Sequence, residues 1–503
     1  MLEPAPSNLR KTYLEFVLEL PYLGQPIAIF RTPEQVTVSS VNFNNSPHNS
    51  MNTKPRSFPY YLLLCTFVFP VVGARTTSAR DVSHQSSLAS ETLNLASDMD
   101  VGLEIEARSP GAAWVRKGSE ASAVSILVDG KENQDLLLWA GEELFAYRVM
   151  LGRLAKGKHT VSVSLNPARS AAGAHRAEVK ALRPLLLAAT GNAKDFKAEQ
   201  FALAYSPVLY ARANTIDRFT DIPLLMYYEI LHEANGNLIV RYTAIFTNED
   251  GGTQTAALMA RWGRATDIEW VYQVRADAGK VIEEIYQGVE HETKVFTGPR
   301  ANGNHPLLAV ASDNNNFSDL ACSVVRFSPF PIRARLETAT RESVMDLYPQ
   351  TYRVMTEELV RERRISDTPT DINTIADPRE YLYIEATSDQ EGAALAFDVK
   401  VSGQSKLFAS DMGEPRLRID RSGYFRTAVR LPKNVSPDAV EEIMARCHAV
   451  PKPANTRSCS HIKLVRALIL DQNYVPRTLR VQTQPESSLA PDETKVYRIT
   501  SSQ

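Results

Sequence analysis

The chain has 503 residues, too many for one ordinary hydrophobic core, and its apolar content of 44% is that of a folded globular protein. Its formal net charge is only −2, and no Lys/Arg-rich run stands out. The sequence therefore lacks the electrostatic footprint of a nucleic-acid-binding protein, and we expect about three domains and no nucleic-acid partner.

A targeting signal lies inside the chain rather than at its first residue. Lys54 and Arg56 precede an apolar run at 60–72, and small residues follow it. The run is short for a membrane span, so 51–79 is predicted to be a secretory signal peptide. The biological start would then be the methionine that opens this segment, and 1–50 would be a non-native or disordered leader. The alternative is a buried helix or a membrane anchor.

Secretion would place the later cysteines in an oxidising compartment, where disulfides form. Cys447 and Cys459 flank a Pro/Asn-rich loop and are predicted to pair. Cys322 would then be left over and buried. The alternative is three buried free thiols. We expect a secreted, periplasmic or extracellular protein without a stable transmembrane anchor.

A first domain is predicted at 98–190, after a loose segment at 80–97. Short alternating segments recur there at intervals of about ten residues, and Asp129-Gly130 is a strong hairpin turn. This spacing is typical of a β-sandwich or jelly roll. Trp114 and Trp139 could form a platform for stacking sugars, or they could be core residues.

The richest polar pattern lies at 239–274, within a predicted central β-rich domain at 196–365. One strand alternates and ends at the turn residues 248–252. On the next strand Asp267 and Glu269 point the same way, about 7 Å apart. Such a pair could serve a hard cation, the hydroxyl groups of a sugar, or simply a solvated outer face.

The end of the chain predicts a second sandwich. Residues 342–364 have helical periodicity, broken or kinked at Pro349. A β-sandwich follows at 378–480 and includes a short helix at 439–446. Residues 481–503 are predicted to be a disordered tail. The fold class is therefore mainly β and multi-domain, with two sandwich-like or jelly-roll-like domains flanking a central β-rich domain and few helices.

Five arginines of the third domain could form a basic stripe for anionic glycans. The alternative is a surface rim in which they pair with nearby acids. These arginines are Arg416, Arg418, Arg421, Arg426 and Arg430.

The order of four segments in about 200–320 resembles the family of vacuolar protein sorting protein sixty-two. The segments are PVLY, NEDGG, DIEW and HPLLAVASDNNNFSD. The resemblance matches Asp267 and Glu269 to an acidic pair, His305 to a His-Pro, and Asp313 to Asn316 to a Ser-His region. The chain departs from the family at Ile268, where the family has Trp, and in an Asn at the second His. A weaker likeness is to necrosis-inducing cytolysins, in which an acidic strand holds a divalent cation.

Oxygen-rich and imidazole side chains concentrate on these strand ends and loops, and Ca²⁺ prefers oxygen ligands. We therefore predict a ligand or metal site, with Ca²⁺ as the candidate cofactor. Its residues are Asn248, Glu249, Asp250, Asp267, Glu269, His291, His305, Asp313 and Asn316.

Three hypotheses for function follow. The first is a secreted, non-enzymatic protein that binds a carbohydrate, the cell envelope or another surface. The second is a secreted polysaccharide hydrolase with Asp267 and Glu269 as acid and base. The third is a cation-dependent, membrane-active protein. The chain has no GxSxG elbow, HExxH motif or P-loop to indicate another enzyme class.

Overall fold

A computed structural model gives the structure of the protein. It describes residues 87–186, 193–212, 219–249, 251–369, 371–451, 456–482 and 484–499, together with three strands near the start of the chain. The chain divides into two compact units, 1–66 and 67–503. The predicted signal segment, 51–79, lies outside the described residues.

The first unit contains a small antiparallel sheet. Its strands are β1 (Phe16–Leu18), β2 (Ile27–Arg31) and β3 (Val36–Ser40), in the order β1-β2-β3. The segment predicted to be a disordered or non-native leader, 1–50, therefore includes three short strands.

The second unit begins with a β-sandwich, which we call the N-terminal sandwich. Its strands are β4 (Ser87–Leu95), β5 (Met99–Arg108), β6 (Ala123–Val128), β7 (Lys131–Leu137), β8 (Phe145–Leu154), β9 (Gly157–Leu165) and β10 (Glu178–Leu186). They form the sheets β4-β9-β6-β7 and β10-β5-β8, whose apolar faces share one core. Asp129 and Gly130 turn between β6 and β7 with positive φ, as predicted.

The N-terminal sandwich starts earlier than predicted. Strand β4 occupies half of the segment expected to be loose, and it pairs with β9 along its length. Leu93 and Leu95 are buried in the core, which stabilises the strand although most of its other residues are polar.

A central lobe follows, built from two sheets and four helices. Its elements are α1 (Ala193–Ala204), β11 (Val208–Tyr210), β12 (Pro223–His232), β13 (Leu238–Phe246), α2 (Thr255–Trp262), β14 (Ile268–Asp277), β15 (Lys280–Gln287), β16 (Thr293–Val295), β17 (Arg300–Ala301), β18 (His305–Val310), β19 (Phe317–Ser318), β20 (Arg326–Phe327), β21 (Ile332–Arg333), α3 (Ser343–Asp346) and α4 (Gln350–Arg361). A 3₁₀ turn, Val289–His291, precedes β16. The sheets run β16-β15-β14-β13-β12-β21 and β17-β18-β11-β20, with β19 beside β18.

The predicted helical stretch is present as two helices. Pro349 stands between α3 and α4, which confirms the expected break. Helix α4 presents Val354 to the core of the N-terminal sandwich and Leu359 to the core shared with the C-terminal part of the chain. It therefore lies between the other parts of the unit.

The chain ends in a second sandwich, the C-terminal sandwich. Its strands are β22 (Tyr381–Glu391), β23 (Ala393–Val401), β24 (Phe408–Ala409), β25 (Gly423–Arg430), β26 (Val440–Ala449), β27 (Ser458–Leu470), β28 (Pro476–Leu479), β29 (Ser487–Leu489) and β30 (Thr494–Arg498). The sheets run β25-β22-β27-β28, with β29 beside β27, and β24-β23-β26-β30. With 48% of residues in strands and 12% in helices, the mainly β, multi-domain fold is confirmed.

Two predictions for this region are wrong. The helix expected at 439–446 is strand β26, because Val440, Ile443 and Ala445 reach the core only as the strand pairs with β23. The tail expected to be disordered, 481–503, contains β29 and β30. Leu489 and Tyr497 are buried there against the sandwich core, which holds this otherwise polar segment in place.

The prediction that Cys447 pairs with Cys459 is confirmed. Cys447 of β26 and Cys459 of β27 form a disulfide with their Cα atoms 6.0 Å apart, and both are buried. The bond joins the two sheets of the sandwich. Cys322, expected to be left over and buried, is disulfide-bonded and lies in an exposed loop instead.

Candidate functional site

Four separate segments of the central lobe meet at one end of its larger sheet. They are the turn after β13, the start of β14, the 3₁₀ turn before β16 and the loop after β18. Together they bring the carboxyl groups of Glu249, Asp267 and Glu269 into one neighbourhood, which we call the carboxyl cluster. His291 and the asparagines at 314–316 border it.

Asp267 and Glu269 lie close enough for each carboxyl group to shift the pKa of the other. Asp267 is 1% exposed and accepts a hydrogen bond from Asn315 Nδ2 at 3.0 Å, while Glu269 accepts one from Gln287. Burial raises the pKa of both carboxyl groups, and the charge of Glu269 raises that of Asp267 further. The pair does not lie on a solvated outer face, because Asp267 is buried and Asn315 of the loop after β18 binds it.

Glu249 lies behind the glycine turn. Its Oε1 accepts a hydrogen bond from Thr253 N at 2.6 Å, and burial together with the charge of Asp267 raises its pKa to about 7. Gly252 has a φ of 84°, and a Cβ there would lie 2.6 Å from Asn314 Oδ1 and 3.0 Å from Glu249 Oε1. The turn thus needs glycine at this position both for its backbone angle and for space.

His291 is the solvent-facing member of the group, with 52% of its side chain exposed. Its Nε2 lies 2.8 Å from Asn314 Nδ2, and its Nδ1 lies 3.0 Å from Gln287 Nε2 and 3.7 Å from Glu269 Oε2. Asn316 Nδ2 is 3.3 Å from the same Nδ1. Hydrogen-bonding side chains therefore run from the surface to the buried carboxyl pair.

The remaining predicted site residues are not part of this group. His305 is fully buried at the opposite end of β18, 2.8 Å from the carbonyl oxygen of Ser206 and 3.1 Å from Asp100 Oδ1. Asp313 is exposed and pairs with Arg212 at 3.4 Å. His305 therefore joins the N-terminal sandwich to the central lobe instead of serving a site.

Two further predicted site residues, Asn248 and Asp250, belong to the turn after β13. Asn248 is buried, and its Nδ2 donates to Glu362 Oε2 at 2.9 Å, which ties the turn to the end of α4. Asp250 lies outside the described residues.

The described residues contain no group of three or more His, Cys, Asp or Glu side chains placed to hold a metal ion. Ca²⁺ takes about six to eight oxygen ligands, and the carboxyl cluster by itself does not provide such a shell. The Ca²⁺ site therefore stays a prediction.

Burial also bears on the hydrolase hypothesis. Retaining glycoside hydrolases hold their two carboxyl groups about 5–5.5 Å apart, and inverting enzymes hold them farther apart, with the substrate between them. Asp267 is only 1% exposed, and Asn315 of the loop after β18 is bonded to it. The role of Asp267 and Glu269 as acid and base stays a prediction.

Beside the turn lies a cleft with a volume of about 700 Å³, which we call the basic cleft. It is bounded by a loop of the N-terminal sandwich, the turn after β13, the end of α4 and the loop that follows. Its lining residues are Lys117, Thr220, Gly251, Gly252, Thr253, Gln254, Arg361, Glu362, Arg363, Arg364 and Asn373. Four of these side chains are cationic and one is anionic.

The cations of the basic cleft are of two kinds. Arg361 is held inside, donating to the carbonyl oxygens of Trp114 at 3.2 Å and Phe219 at 2.9 Å. Arg364 donates to the carbonyl oxygen of Glu249 at 2.9 Å. Lys117 and Arg363 are exposed. This surface was not predicted from the sequence, because the run of arginines after α4 is typical of an ordinary solvated helix end.

The predicted tryptophan platform and the predicted arginine stripe are not binding surfaces but parts of the packed structure. Trp114 and Trp139 are 1% and 6% exposed, so they are core residues and not a stacking platform. Arg426 of the proposed basic stripe is fully buried between Asp346 and Glu385. Arg418 pairs with Asp411 at 2.9 Å, as the surface-rim alternative predicts.

No protein-family model and no curated protein matches the chain, so the similarity to the vacuolar sorting family stays a prediction. Among solved structures, the chain is similar to the C-terminal domain of EclA, a sugar-binding protein, at 19% identity over 23% of this chain and 83% of that chain, with a TM-score of 0.16. It is also similar to a ruminal GH26 endo-β-1,4-mannanase, at 13% identity over 26% of each chain, with a TM-score of 0.14.

A third likeness is to the BSP domain of a biofilm-associated protein, at 8% identity over 86% of this chain and 94% of that chain, with a TM-score of 0.11. TM-scores this low carry no argument about fold or function. Separately, none of the helices in the described part of the chain is long and apolar enough to span a membrane.

Proposed function

We propose that this protein is a secreted, non-enzymatic binding protein, and that its basic cleft holds an anionic carbohydrate of a cell envelope or extracellular surface. The observation that carries the proposal is the charge of the cleft lining. The lining contains Lys117, Arg361, Arg363 and Arg364 and one acid, Glu362, around a volume of about 700 Å³. Behind the lining, Arg361 also lies 3.9 Å from buried carboxyl oxygens of Glu120 and Glu358. Clefts of about 300–1,000 Å³ are typical of ligand sites.

The arginines suit carboxylate or sulfate groups. A guanidinium group offers paired N–H donors that match a carboxylate, and it keeps its charge at every physiological pH. Because Arg361 and Arg364 are already fixed by backbone carbonyl oxygens, their charge is in place before a ligand arrives. Lys117 and Arg363 are exposed and can adjust to the ligand.

Helix α2 adds to the same potential. Its N-cap residue, Gln254, lines the cleft and makes no capping hydrogen bond with its side chain. The N-terminal end of a helix carries a partial positive charge, which favours an anion. In this proposal the carboxyl cluster supports the turn that forms the wall and does not contact the ligand.

Secretion is part of the proposal. The buried disulfide between Cys447 and Cys459 is typical of proteins that fold in an oxidising compartment. A carbohydrate at a cell surface is a ligand that such a protein meets.

The test is calorimetric titration of the full chain with polygalacturonate, heparin and neutral dextran. We expect the two anionic polymers to bind and dextran not to bind. Binding should weaken as salt is raised from about 0.01 M to about 0.15 M, since the Debye length then falls from about 30 Å to about 8 Å.

Charge reversal in the cleft provides the matched comparison. The double variant Lys117→Glu/Arg363→Glu should bind about tenfold more weakly or worse, because two exposed ion pairs become repulsive. Lys463→Glu, an exposed lysine on the C-terminal sandwich, should bind like the wild type. Equal binding of dextran, or an unaffected double variant, would contradict the proposal.

A further inference from the structure

A second cavity lies between the N-terminal sandwich and the central lobe, away from the basic cleft. Its volume is about 320 Å³, within the range of small-molecule sites, and its walls are mostly aromatic and aliphatic side chains. We propose that this aromatic cavity binds a small, flat phenolic acid, with the phenol hydroxyl inside and the carboxylate at the mouth. The proposal is independent of the function proposed above.

One wall is a rigid aromatic cluster. The ring centroids of Trp139 and Phe145 are 4.6 Å apart, and those of Phe145 and Tyr147 are 4.9 Å apart. On another wall, Phe330 packs against the backbone of Gly102, where an added Cβ would lie 2.4 Å from the ring. Walls of fixed aromatic rings suit a flat aromatic ligand, because packed rings bury apolar surface and can adopt stacked or edge-to-face arrangements.

One residue of the cavity wall carries a polar group without a hydrogen-bond partner in the part of the chain that the structure describes. Ser328 is 3% exposed and lines the cavity, and its Oγ has no hydrogen-bond partner among the described residues. The neighbouring polar groups are satisfied: Gln134 Oε1 accepts from Ser328 N at 2.9 Å, and Gln134 Nε2 donates to the Met150 carbonyl oxygen at 2.7 Å. A buried hydroxyl without a partner is costly, so this one points to a ligand that bonds it.

The charge at the mouth sets the other end of the ligand. Arg148 lines the cavity with half its side chain exposed, and its Nε donates to Glu104 at 3.0 Å. The one acid in the lining, Asp135, is buried and already bonded to Arg169 and to the backbone N–H of Arg326. An arginine at the entrance therefore favours a carboxylate there.

The two polar groups are spaced for one ring. The carbonyl oxygen of Ser328 accepts from Met150 N, and Phe330 N donates to the carbonyl oxygen of Arg148. Ser328 therefore lies beside Met150 of β8, which is two residues, or about 7 Å along the strand, from Arg148. A single aromatic ring with polar groups at opposite ends spans this distance. Leu347, 77% exposed at the rim, shows that the cavity meets solvent.

The test is calorimetry on the full chain with three probes: 4-hydroxycinnamate, cinnamate and methyl 4-hydroxycinnamate. The second probe lacks the hydroxyl group and the third lacks the charge. Tryptophan fluorescence gives an independent signal, since Trp139 lines the cavity. We expect 4-hydroxycinnamate to bind most tightly.

Each variant should remove the difference in affinity that one group of the ligand causes. Ser328→Ala should weaken 4-hydroxycinnamate about three- to tenfold and leave cinnamate unchanged. Its melting temperature should be equal to or higher than that of the wild type, because an unsatisfied hydroxyl is removed. Arg148→Gln should weaken both acids about tenfold or more and bring 4-hydroxycinnamate level with its methyl ester.

A variant that fills the aromatic cavity tests for binding there without changing a core residue. Ala146 is exposed and lines the cavity, so Ala146→Trp should abolish binding of all probes, while Ala155→Trp, exposed elsewhere, should not. The cleft variant Lys117→Glu/Arg363→Glu should bind the probes normally. The inference is overturned if no probe binds at millimolar concentration, if Ala146→Trp binds like the wild type, or if acid and methyl ester bind equally to the wild type.

Discussion

Asn315 Nδ2 donates a hydrogen bond to Asp267 Oδ2 at 3.0 Å, and both side chains are buried. Asn315 adopts a φ of 46°, a left-handed conformation that asparagine tolerates better than most residues. The bond holds the loop after β18 over the carboxyl pair. Because the loop excludes water, the protonated form of these acids is favoured in the folded protein.

The first prediction concerns pH. Burial raises the pKa of Glu249 from 4.5 to about 7, so between these values the folded state holds a proton that the unfolded chain has released. We expect the free energy of unfolding to be highest near pH 4.5 and to fall as pH rises to about 7. Glu249→Gln keeps an oxygen for Thr253 N but removes the titration, so its slope should be shallower.

The comparison is made by urea denaturation at several pH values from about 4.5 to about 7.5. Glu337→Gln, at an exposed position, should have the slope of the wild type. If Glu249→Gln also kept the wild-type slope, Glu249 would not be titrating in this window.

The second prediction concerns the glycine turn at the cleft wall. Gly252→Ala must place a Cβ 2.6 Å from Asn314 Oδ1 on a backbone with positive φ. Gly236 has a similar φ of 92°, and a Cβ added there would have no neighbouring atom within 4 Å, so Gly236→Ala isolates the backbone cost. We expect about 1 kcal/mol for Gly236→Ala and at least ~2 kcal/mol for Gly252→Ala in chemical denaturation. Equal losses would mean that the turn has room for a methyl group.

Local signals predicted much of this fold. The turn at Asp129 and the break at Pro349 depend on the backbone preferences of single residues, and both are present. The disulfide could be predicted because Cys447 and Cys459 are only 12 residues apart. Each of these features is set by residues that are neighbours in sequence.

Strand pairing between distant segments was harder to predict. Val440 and Ile443 have helical spacing, and only pairing with β23 gives their segment an extended structure. Leu489 and Tyr497 are among the few apolar residues of a mainly polar tail, and their burial depends on strands formed far earlier in the chain. Propensity cannot decide such cases, because tertiary contacts outweigh it.

At the candidate site too, local signals could be predicted and contacts between distant segments could not. Glu249, Asp267 and Glu269 were found because they lie at the ends of two adjacent strands. Gln287 and Asn315 were missed, since nothing local marks them as partners of these acids. The basic cleft was missed as a unit for a similar reason, because its wall comes from five separate stretches of the chain.

The third prediction concerns the disulfide. Replacing both cysteines, Cys447→Ala/Cys459→Ala, opens a short loop, and the entropic model gives a loss of about 3 kcal/mol in the free energy of unfolding. Val465→Ala, a partly exposed position on β27, should cost far less. Chemical denaturation without reductant measures both. A double variant as stable as the wild type would show that the bond does not hold the two sheets together in solution.

The fourth prediction concerns Glu358, a fully buried acid of α4 that joins separate parts of the chain. It accepts hydrogen bonds from Trp114 Nε1 at 2.9 Å, Thr247 Oγ1 at 2.8 Å and Asp221 N at 3.1 Å. Glu358→Ala leaves three buried donors without this acceptor, at about 1–3 kcal/mol each, so we expect a loss of at least ~3 kcal/mol. Val360→Ala, on the exposed face of the same helix, should change stability little.

A double-mutant cycle separates the hydrogen bond from simple loss of packing. Trp114→Phe removes one of the three donors, so Glu358→Ala should cost less in the Trp114→Phe background than in the wild type. Denaturation of the four proteins gives the coupling energy directly. Additive losses would mean that the bond between Trp114 and Glu358 contributes nothing to stability, and that α4 is held against the N-terminal sandwich by apolar contacts such as those of Val354.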